Sequence, residues 1–237
     1  MKLSTKYGDK TIEFEVQYRN RKTLAIQVEP VDKILVLSPI GLPEEIIKDK
    51  VKSKSRWIIK KLLDFKDMGY LPFNREFVNG EAFMYLGRNY SLQLLLDKNL
   101  QRIKVGLSDG KLSISTPTKE QPILKKAMEK WYRREAKKII LKRLEFYKPK
   151  FAIETRIIKI KEQKKRWGSC TSKGDLLFNW RTIMAPSPVI DYIIVHEMSH
   201  LANKNHSLQF WKSIENILPD YKNRRKWLKD YGVRMTL

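Results

Sequence analysis

All three histidines of the chain lie within eleven consecutive positions, at His196, His200 and His206. On an α-helix, residues i and i+4 share one face, so the imidazoles of His196 and His200 can reach the same metal ion. A straight helix would carry His206 about 9 Å further along its axis, so the chain must turn after about residue 202. Asn203 and Asn205 favour such a turn, because asparagine tolerates the left-handed conformation at a helix end. The spacing therefore requires a helix that ends just after residue 202.

Glu197 directly follows the first histidine, which places its carboxylate beside the ion rather than among its ligands. Neutral imidazole suits zinc, and catalytic zinc sites use about three protein ligands and keep one position open. We therefore expect His196, His200 and His206 to bind Zn²⁺ and Glu197 to act as the general base on a zinc-activated water. The alternative is three histidines that are packed or solvated for unrelated reasons.

The chain is strongly basic, with 49 Lys and Arg against 26 Asp and Glu and a net charge of +23. The segment from residue 125 to residue 166 contains seventeen basic residues and five glutamates. Such a surface attracts polyanions, so nucleic acid or a nucleotide is one expected partner, and an ordinary solvated surface is the alternative.

Cysteine usage and hydropathy indicate the compartment. Cys170 is the single cysteine, which excludes an intrachain disulfide and fits a reducing environment. The first residues carry no apolar leader segment, and the longest apolar runs are too short to span a bilayer. We expect a cytoplasmic protein with no membrane partner.

Short alternating segments followed by turn residues dominate the first 120 residues and predict strands. They cover 11–18, 24–28, 34–37, 82–86, 90–96, 103–105 and 111–115. Two of these sets end alike, at Ser38-Pro39 and at Thr116-Pro117, and each is followed by a helical pattern. The first helix begins after Leu42 with a break near 53–55, and the second covers about 122–147. This recurrence predicts a structural duplication of a strand–strand–helix unit.

The remainder of the chain is mostly helical. A strand at 157–160, a polar loop at 166–174 and a strand at 176–183 precede a helix over 187–202, for which Ser187 can serve as N-cap. Further helices follow from about 207 to Pro219 and from 220 to about Gly232. We predict an α+β protein with a β-rich N-terminal domain over 1–120 and a second domain over 121–237.

Around the histidines the sequence resembles the YgjP-like metallopeptidase-domain family, which is related to the SprT and WLM zincins. The matching segments are Arg166-Trp-Gly-Ser-Cys170, Asn179-Trp-Arg181, Ala185-Pro186, Val189-Ile-Asp-Tyr192, Val195-His-Glu-Met-Ser-His-Leu201, Asn205-His-Ser207, Phe210-Trp211, Leu218-Pro-Asp-Tyr221, Trp227-Leu228, Tyr85-Leu-Gly-Arg-Asn-Tyr90 and Trp57-Ile58. The resemblance implies that 121–237 is a zincin-like domain in which the three histidines bind zinc and Glu197 is catalytic. Its relation to SprT-type proteases suggests proteolysis associated with nucleic acid.

Three further features have two interpretations each. Cys170 is a fourth ligand or a nucleophile, or it is a small residue near the site. Trp167 and Trp180 contact substrate or pack in the core. The strand at 176–183 corresponds by resemblance to the zincin edge strand that pairs with an extended peptide substrate, or it is an ordinary core strand.

Three functions fit these observations. The first is a zinc-dependent hydrolase, most simply a metalloendopeptidase with a protein or peptide substrate. The second is a zinc-dependent hydrolase of nucleotide phosphoanhydrides, which the basic surface would favour, although no carboxylate-rich two-metal signature or phosphate-binding Gly-rich loop is present. The third is a nucleic-acid-binding module with a structural zinc, which an intact Glu197 and only three ligands disfavour.

Overall fold

Sheets occupy the first half of the chain and helices most of the second, as expected for an α+β protein. The computed structural model describes residues 1–29, 32–67, 75–151, 156–163 and 166–237. It divides the chain into two compact units, Met1–Phe73 and Asn74–Leu237. None of the described helices contains an apolar stretch of the length that spans a lipid bilayer.

The first unit is a four-stranded sheet with helices that pack on it. The strands are β1 (Lys2–Tyr7), β2 (Lys10–Arg19), β3 (Ala25–Glu29) and β4 (Lys33–Pro39), in the order β1-β2-β4-β3, and the helices are α1 (Glu44–Ser53) and α2 (Ser55–Asp67). The strand residues that alternate inward meet one apolar stripe of the helices. Together they form the core of the first unit, which consists of Ile12, Phe14, Val16, Ile34, Val36, Ile47, Val51 and Ile58.

The second unit begins with a sheet of the same topology. Its strands are β5 (Ala82–Tyr85), β6 (Arg88–Leu96), β7 (Lys104–Ser108) and β8 (Lys111–Thr116), in the order β5-β6-β8-β7, and helix α3 (Gln121–Tyr147) follows. In each sheet the second and fourth strands are parallel and the other neighbours are antiparallel. Each fourth strand has a fully buried hydroxyl residue at or next to its last position, Ser38 in β4 and Thr116 in β8. The strand–strand–helix recurrence in the sequence therefore corresponds to two sheets of identical strand order.

A third, small sheet and three helices complete the second unit. The strands are β9 (Ile158–Lys161), β10 (Gly168–Cys170) and β11 (Leu176–Asn179), and the helices are α4 (Ser187–Ala202), α5 (Leu208–Ile217) and α6 (Tyr221–Tyr231). The strand order is β10-β11-β9. One core connects α3, α4, α5 and the second sheet.

The boundary between the compact units differs from the predicted division into 1–120 and 121–237. The second sheet belongs with the helices that follow it, because the β5–β6 turn is bonded to the segment before α4. The amides of Leu86 and Gly87 donate to the carbonyls of Ile183 and Met184, both at 2.9 Å. Gly87 has a φ of +80°, and a Cβ there would lie 2.7 Å from the ring of Pro186. This contact requires glycine, and the sequence pattern alone does not indicate it.

The structure departs from the sequence prediction at two elements. The predicted strand 176–183 ends at Asn179, and a 3₁₀ turn, Trp180–Met184, replaces its second half. The Asn179 side chain accepts the Arg181 amide and starts this turn. Strand β1 was not expected, because its outward residues leave it nearly all polar. The predicted break near 53–55 is confirmed, since α1 ends at Ser53 and α2 starts at Ser55.

An ion pair joins α3 to α4. The Arg143 guanidinium donates to both carboxylate oxygens of the buried Asp191, at 2.6 and 2.7 Å. Removing one partner of such a pair leaves the other charge buried without compensation. We expect Arg143→Ala to lower the free energy of unfolding by about 3 kcal/mol, measured by urea denaturation.

The control is Arg134→Ala on the same helix, where an exposed arginine pairs with Glu135. It should cost less than about 0.5 kcal/mol. Equal losses in the two variants would contradict a special contribution from the Arg143–Asp191 pair.

Candidate metal centre

Helix α4 passes through the core of the second unit and supplies two of the three histidines. It is buried along most of its length, from Val189 to Leu201, and few of its side chains reach solvent. His196 and His200 lie one turn apart on the side that faces the cleft, with ring centroids 5.0 Å apart. The apolar packing of the other faces fixes the rotation of the helix and therefore the direction of both imidazoles.

The helix ends at Ala202, as predicted, but not by the predicted mechanism. Asn203 has φ −119° and ψ 102°, an extended conformation, so the expectation of a left-handed residue there was wrong. The extended residue turns its carbonyl back toward the helix, where it accepts a hydrogen bond from His200 Nδ1 at 3.0 Å. A carbonyl only accepts, so Nδ1 carries the proton and the Nε2 lone pair of His200 is free for a metal.

His206 returns to the first two histidines from the loop that follows. Its Nε2 lies 3.2 Å from Nε2 of His196, and one ligand atom from each of the three histidines lies within 4.8 Å of the others. The imidazole of His206 stacks on Trp211 of α5, with ring centroids 5.6 Å apart. Ser207 caps α5 by accepting the Phe210 amide, and so sets where the supporting helix begins.

The donor set fits a tetrahedral metal ion. Zinc–nitrogen bonds of about 2.0–2.1 Å in tetrahedral geometry place two ligating nitrogens about 3.3 Å apart, close to the 3.2 Å between His196 and His206. Burial, reinforced by the two neighbouring histidines, lowers the pKa of His196 to about 3. Burial also lowers the pKa of His206. At neutral pH both imidazoles are therefore neutral, which is the form that binds a metal.

Glu197 lies beside this cluster and is itself only 6% exposed. Burial raises the pKa of its carboxyl to about 7, against the opposing effects of the Arg166 charge and a hydrogen bond from the backbone of Cys170. A carboxyl with a pKa near neutrality can both take up and return a proton, which suits a general base. It is not part of the three-histidine ligand cluster among the described residues.

Strand β10 packs directly against Glu197, and Gly168 makes this approach possible. A Cβ on Gly168 would lie 2.6 Å from Cγ and 2.7 Å from Oε1 of Glu197. Gly168 falls within the predicted polar loop at 166–174, and its contact with Glu197 was not predicted. Its one signal was a glycine within the segment Arg166-Trp-Gly-Ser-Cys170, since glycine often marks a close approach to backbone.

The register of β10 leaves part of its backbone facing the site. The Asn179 amide donates to the carbonyl of Trp167, and the Thr171 amide donates to Asp175. Because antiparallel strands alternate between bonded and non-bonded pairs, the amides and carbonyls of Gly168 and Cys170 point away from β11. The Cys170 amide accordingly reaches Glu197.

A cleft of about 790 Å³ lies between the three histidines, Glu197 and strand β10, and Arg166 and Lys204 also line it. Cys170 lines the cleft but is not part of the described ligand cluster. Burial raises the pKa of its thiol, so it is a poor nucleophile. Of its predicted roles, a small residue near the site agrees best with this position.

The remaining predicted residues lie in the core or in the sheet. Trp180 is fully buried, and Trp167 packs against Gly232, where a Cβ would lie 3.0 Å from the indole. Strand β11 has partners on both sides, so the prediction that the strand at 176–183 is the open edge was wrong. β10 is the edge strand on the side of the cleft.

Comparison with known proteins places the chain among metallopeptidases. The family model described as "YgjP-like, metallopeptidase domain" matches residues 22–231. Among solved structures, the metallopeptidase zymogen of Methanocaldococcus jannaschii jannalysin is 23% identical, with a TM-score of 0.33, over 38% of this chain and 90% of that chain. No curated protein matches the chain.

The geometry predicts that His206 contributes to metal affinity as strongly as the helix histidines. We expect His206→Ala to weaken zinc binding at least about 100-fold, because it removes one of three ligands. The affinity is measured by competition with a chromophoric chelator. Asn205→Ala, the matched control in the same loop, should bind zinc as the wild type does. Unchanged affinity in His206→Ala would remove this residue from the ligand set.

Proposed function

The chain belongs to the YgjP-like metallopeptidase family, and from this membership we propose that it is a zinc-dependent metalloendopeptidase. The family implies a metal ion and a protein or peptide substrate. In the proposal, His196, His200 and His206 hold the zinc and Glu197 is the general base. The observation that carries it is the convergence of three imidazoles next to a buried carboxyl whose pKa is about 7.

The chemistry divides between the ion and the chain. A zinc ion held by the three histidines supplies a Lewis acid that polarises the scissile carbonyl and makes a water molecule more acidic. The Glu197 carboxylate accepts the proton of the attacking water and delivers it to the leaving amine. The hydrogen bond from the Cys170 amide holds this carboxylate, and the Asn203 carbonyl orients the imidazole of His200.

Peptide is the favoured substrate because of the edge of β10. The Cys170 amide holds Glu197, and an extended peptide can pair with the other outward backbone groups of Gly168 and Cys170 by strand addition. Such pairing aligns the scissile bond with the carboxylate whatever the side-chain sequence. This role of an edge strand is the one expected of the strand at 176–183, transferred to β10.

A nucleotide phosphoanhydride hydrolase is the second candidate. The two cations that line the cleft, Arg166 and Lys204, favour it, because they can bind phosphate oxygens. The same ion and the same base would act on phosphorus instead of carbon. The third interpretation, a structural zinc in a nucleic-acid-binding module, has less support, because the described cluster holds three ligands rather than four.

Glu197→Gln tests the proposed catalytic role. The amide keeps the shape of the side chain but cannot accept the proton, so hydrolysis should fall by about 100- to 10,000-fold while zinc binding persists. Wild type and variant are assayed against casein, with and without DNA, and against nucleoside triphosphates. Cleavage of casein by the wild type alone supports the peptidase proposal.

The other outcomes are equally informative. Hydrolysis of triphosphates without cleavage of casein would select the second candidate. A variant that keeps every wild-type activity would rule out Glu197 as the base under either enzymatic proposal.

Gly168→Ala tests whether β10 positions the base. The added methyl would displace the Glu197 carboxylate, so the rate of peptide cleavage should fall about 100-fold while zinc affinity stays close to that of the wild type. Gly106→Ala is the matched control, because a Cβ there meets no atom within 4 Å and no left-handed φ is involved. The assay is cleavage of a short neutral peptide, and equal rates in the two variants would contradict the positioning role.

A further inference from the structure

A groove of about 440 Å³ lies between strand β7 and helix α3, and it shares no lining residue with the metal cleft. Its floor is apolar: Ile103 and Val105 come from the strand side, and Ile123 from the first turn of the helix. Ile123 is 39% exposed, so part of this apolar surface meets solvent. The groove can therefore accept apolar side chains of a partner.

The rim of the groove is basic. Arg102, Lys126, Lys130 and Arg134 line it, without any acidic residue. Arg134 pairs with Glu135, whereas the other three form no salt bridge within the described part of the chain. Lys126, Lys130 and Arg134 follow at four-residue intervals, which places their Cα atoms about 6 Å apart along the helix. Alternate side chains of an extended chain repeat at about 6.7 Å, so acidic residues at alternate positions match this row.

The β7 side of the groove offers unpaired backbone. Among the described residues, β7 pairs with β8 alone and forms the edge of its sheet. The two strands join at Asp109 and Gly110, both with positive φ, and Ser108 pairs with Lys111. A two-residue turn of this kind closes on a hydrogen-bonded pair. The alternation of the ladder then leaves the amides and carbonyls of Val105 and Leu107 directed outward.

The first unit has a similar groove at the equivalent position of its own sheet. Strand β3 corresponds to β7, since each is the third strand, lies at the sheet edge and pairs antiparallel with the fourth. Here Leu24 and Ile26 form the apolar side, and Lys50 and Lys54 form a basic pair at the same four-residue interval. The combination of sheet edge, apolar floor and lysine pair thus occurs twice.

We infer that the groove between β7 and α3 docks an extended acidic polypeptide segment, which adds as a fifth strand along β7. The β7 backbone binds the added main chain, and the acidic side chains that point toward α3 lay their aliphatic stems on the floor and pair with the rim through their carboxylates. A single-stranded nucleic acid fits less well, because it carries no aliphatic side chains and the aromatic residue of the groove, Trp131, is buried and offers no stacking surface. The inference concerns binding and does not depend on the proposed hydrolysis.

The test uses the 237-residue chain in the Glu197→Gln background, which keeps a peptide intact if the proposed hydrolysis occurs. The probe is a fluorescein-labelled peptide that alternates glutamate with valine, followed by fluorescence anisotropy. The double variant Lys126→Glu/Lys130→Glu should weaken binding at least about tenfold at low salt. The matched control, Lys125→Glu/Lys137→Glu, makes the same change in charge at exposed positions of α3 that do not line the groove. It should bind nearly as the parent does.

A second probe separates strand addition from charge attraction. Two versions of the same peptide carry N-methyl groups on alternate amides, one at the odd and one at the even positions. Each version keeps its charges but loses pairing along one edge. The version that is methylated along the edge facing β7 should not bind. Equal weakening in the two double variants would overturn the inference, as would unchanged binding of both N-methylated peptides. Equally tight binding of a single-stranded oligothymidylate of the same charge would replace it with a general polyanion surface.

Discussion

The end of helix α4 at Ala202 is the constraint on which the proposed metal centre depends. While the helix continues, each residue moves the chain further from His196, so the third imidazole can return only after a break in direction. Extended Asn203 supplies that break, and its carbonyl simultaneously fixes the ring of His200. One backbone conformation thus turns the chain toward His206 and selects the tautomer that leaves a ligand nitrogen free.

The second requirement is a surface that approaches Glu197 closely enough to hold it without ligating the metal. Strand β10 meets it with two residues: Gly168 provides space, and the Cys170 amide donates a hydrogen bond. Asn179 anchors the preceding segment, because its side-chain amide donates to the carbonyls of Gln163 and Arg166. The basic character of the carboxylate therefore originates in packing between a short strand and a buried helix.

The sequence pattern identified the parts of the molecule that depend on local periodicity. Spacing and turn residues predict the residues of α4 and the helix that begins near Ser207. They also predict the break between α1 and α2 and the repeated strand–strand–helix units. Features that depend on distant partners were not accessible. Gly168 resembles any loop glycine until Glu197 is placed against it, and the 3₁₀ turn after Asn179 replaces a strand because of a side-chain hydrogen bond. Asn203 ends the helix without the left-handed conformation that its residue type suggested.

The central claim, that three imidazoles and no further protein ligand hold one zinc ion, is tested most directly by X-ray absorption spectroscopy of the zinc-loaded chain. We expect one zinc per chain with three imidazole nitrogens at about 2.0–2.1 Å and one light ligand from solvent. A sulfur ligand at about 2.3 Å would place Cys170 in the coordination sphere. Four protein ligands, one of them this sulfur, would form a closed structural site with no position for water. That result would contradict the proposed catalytic zinc.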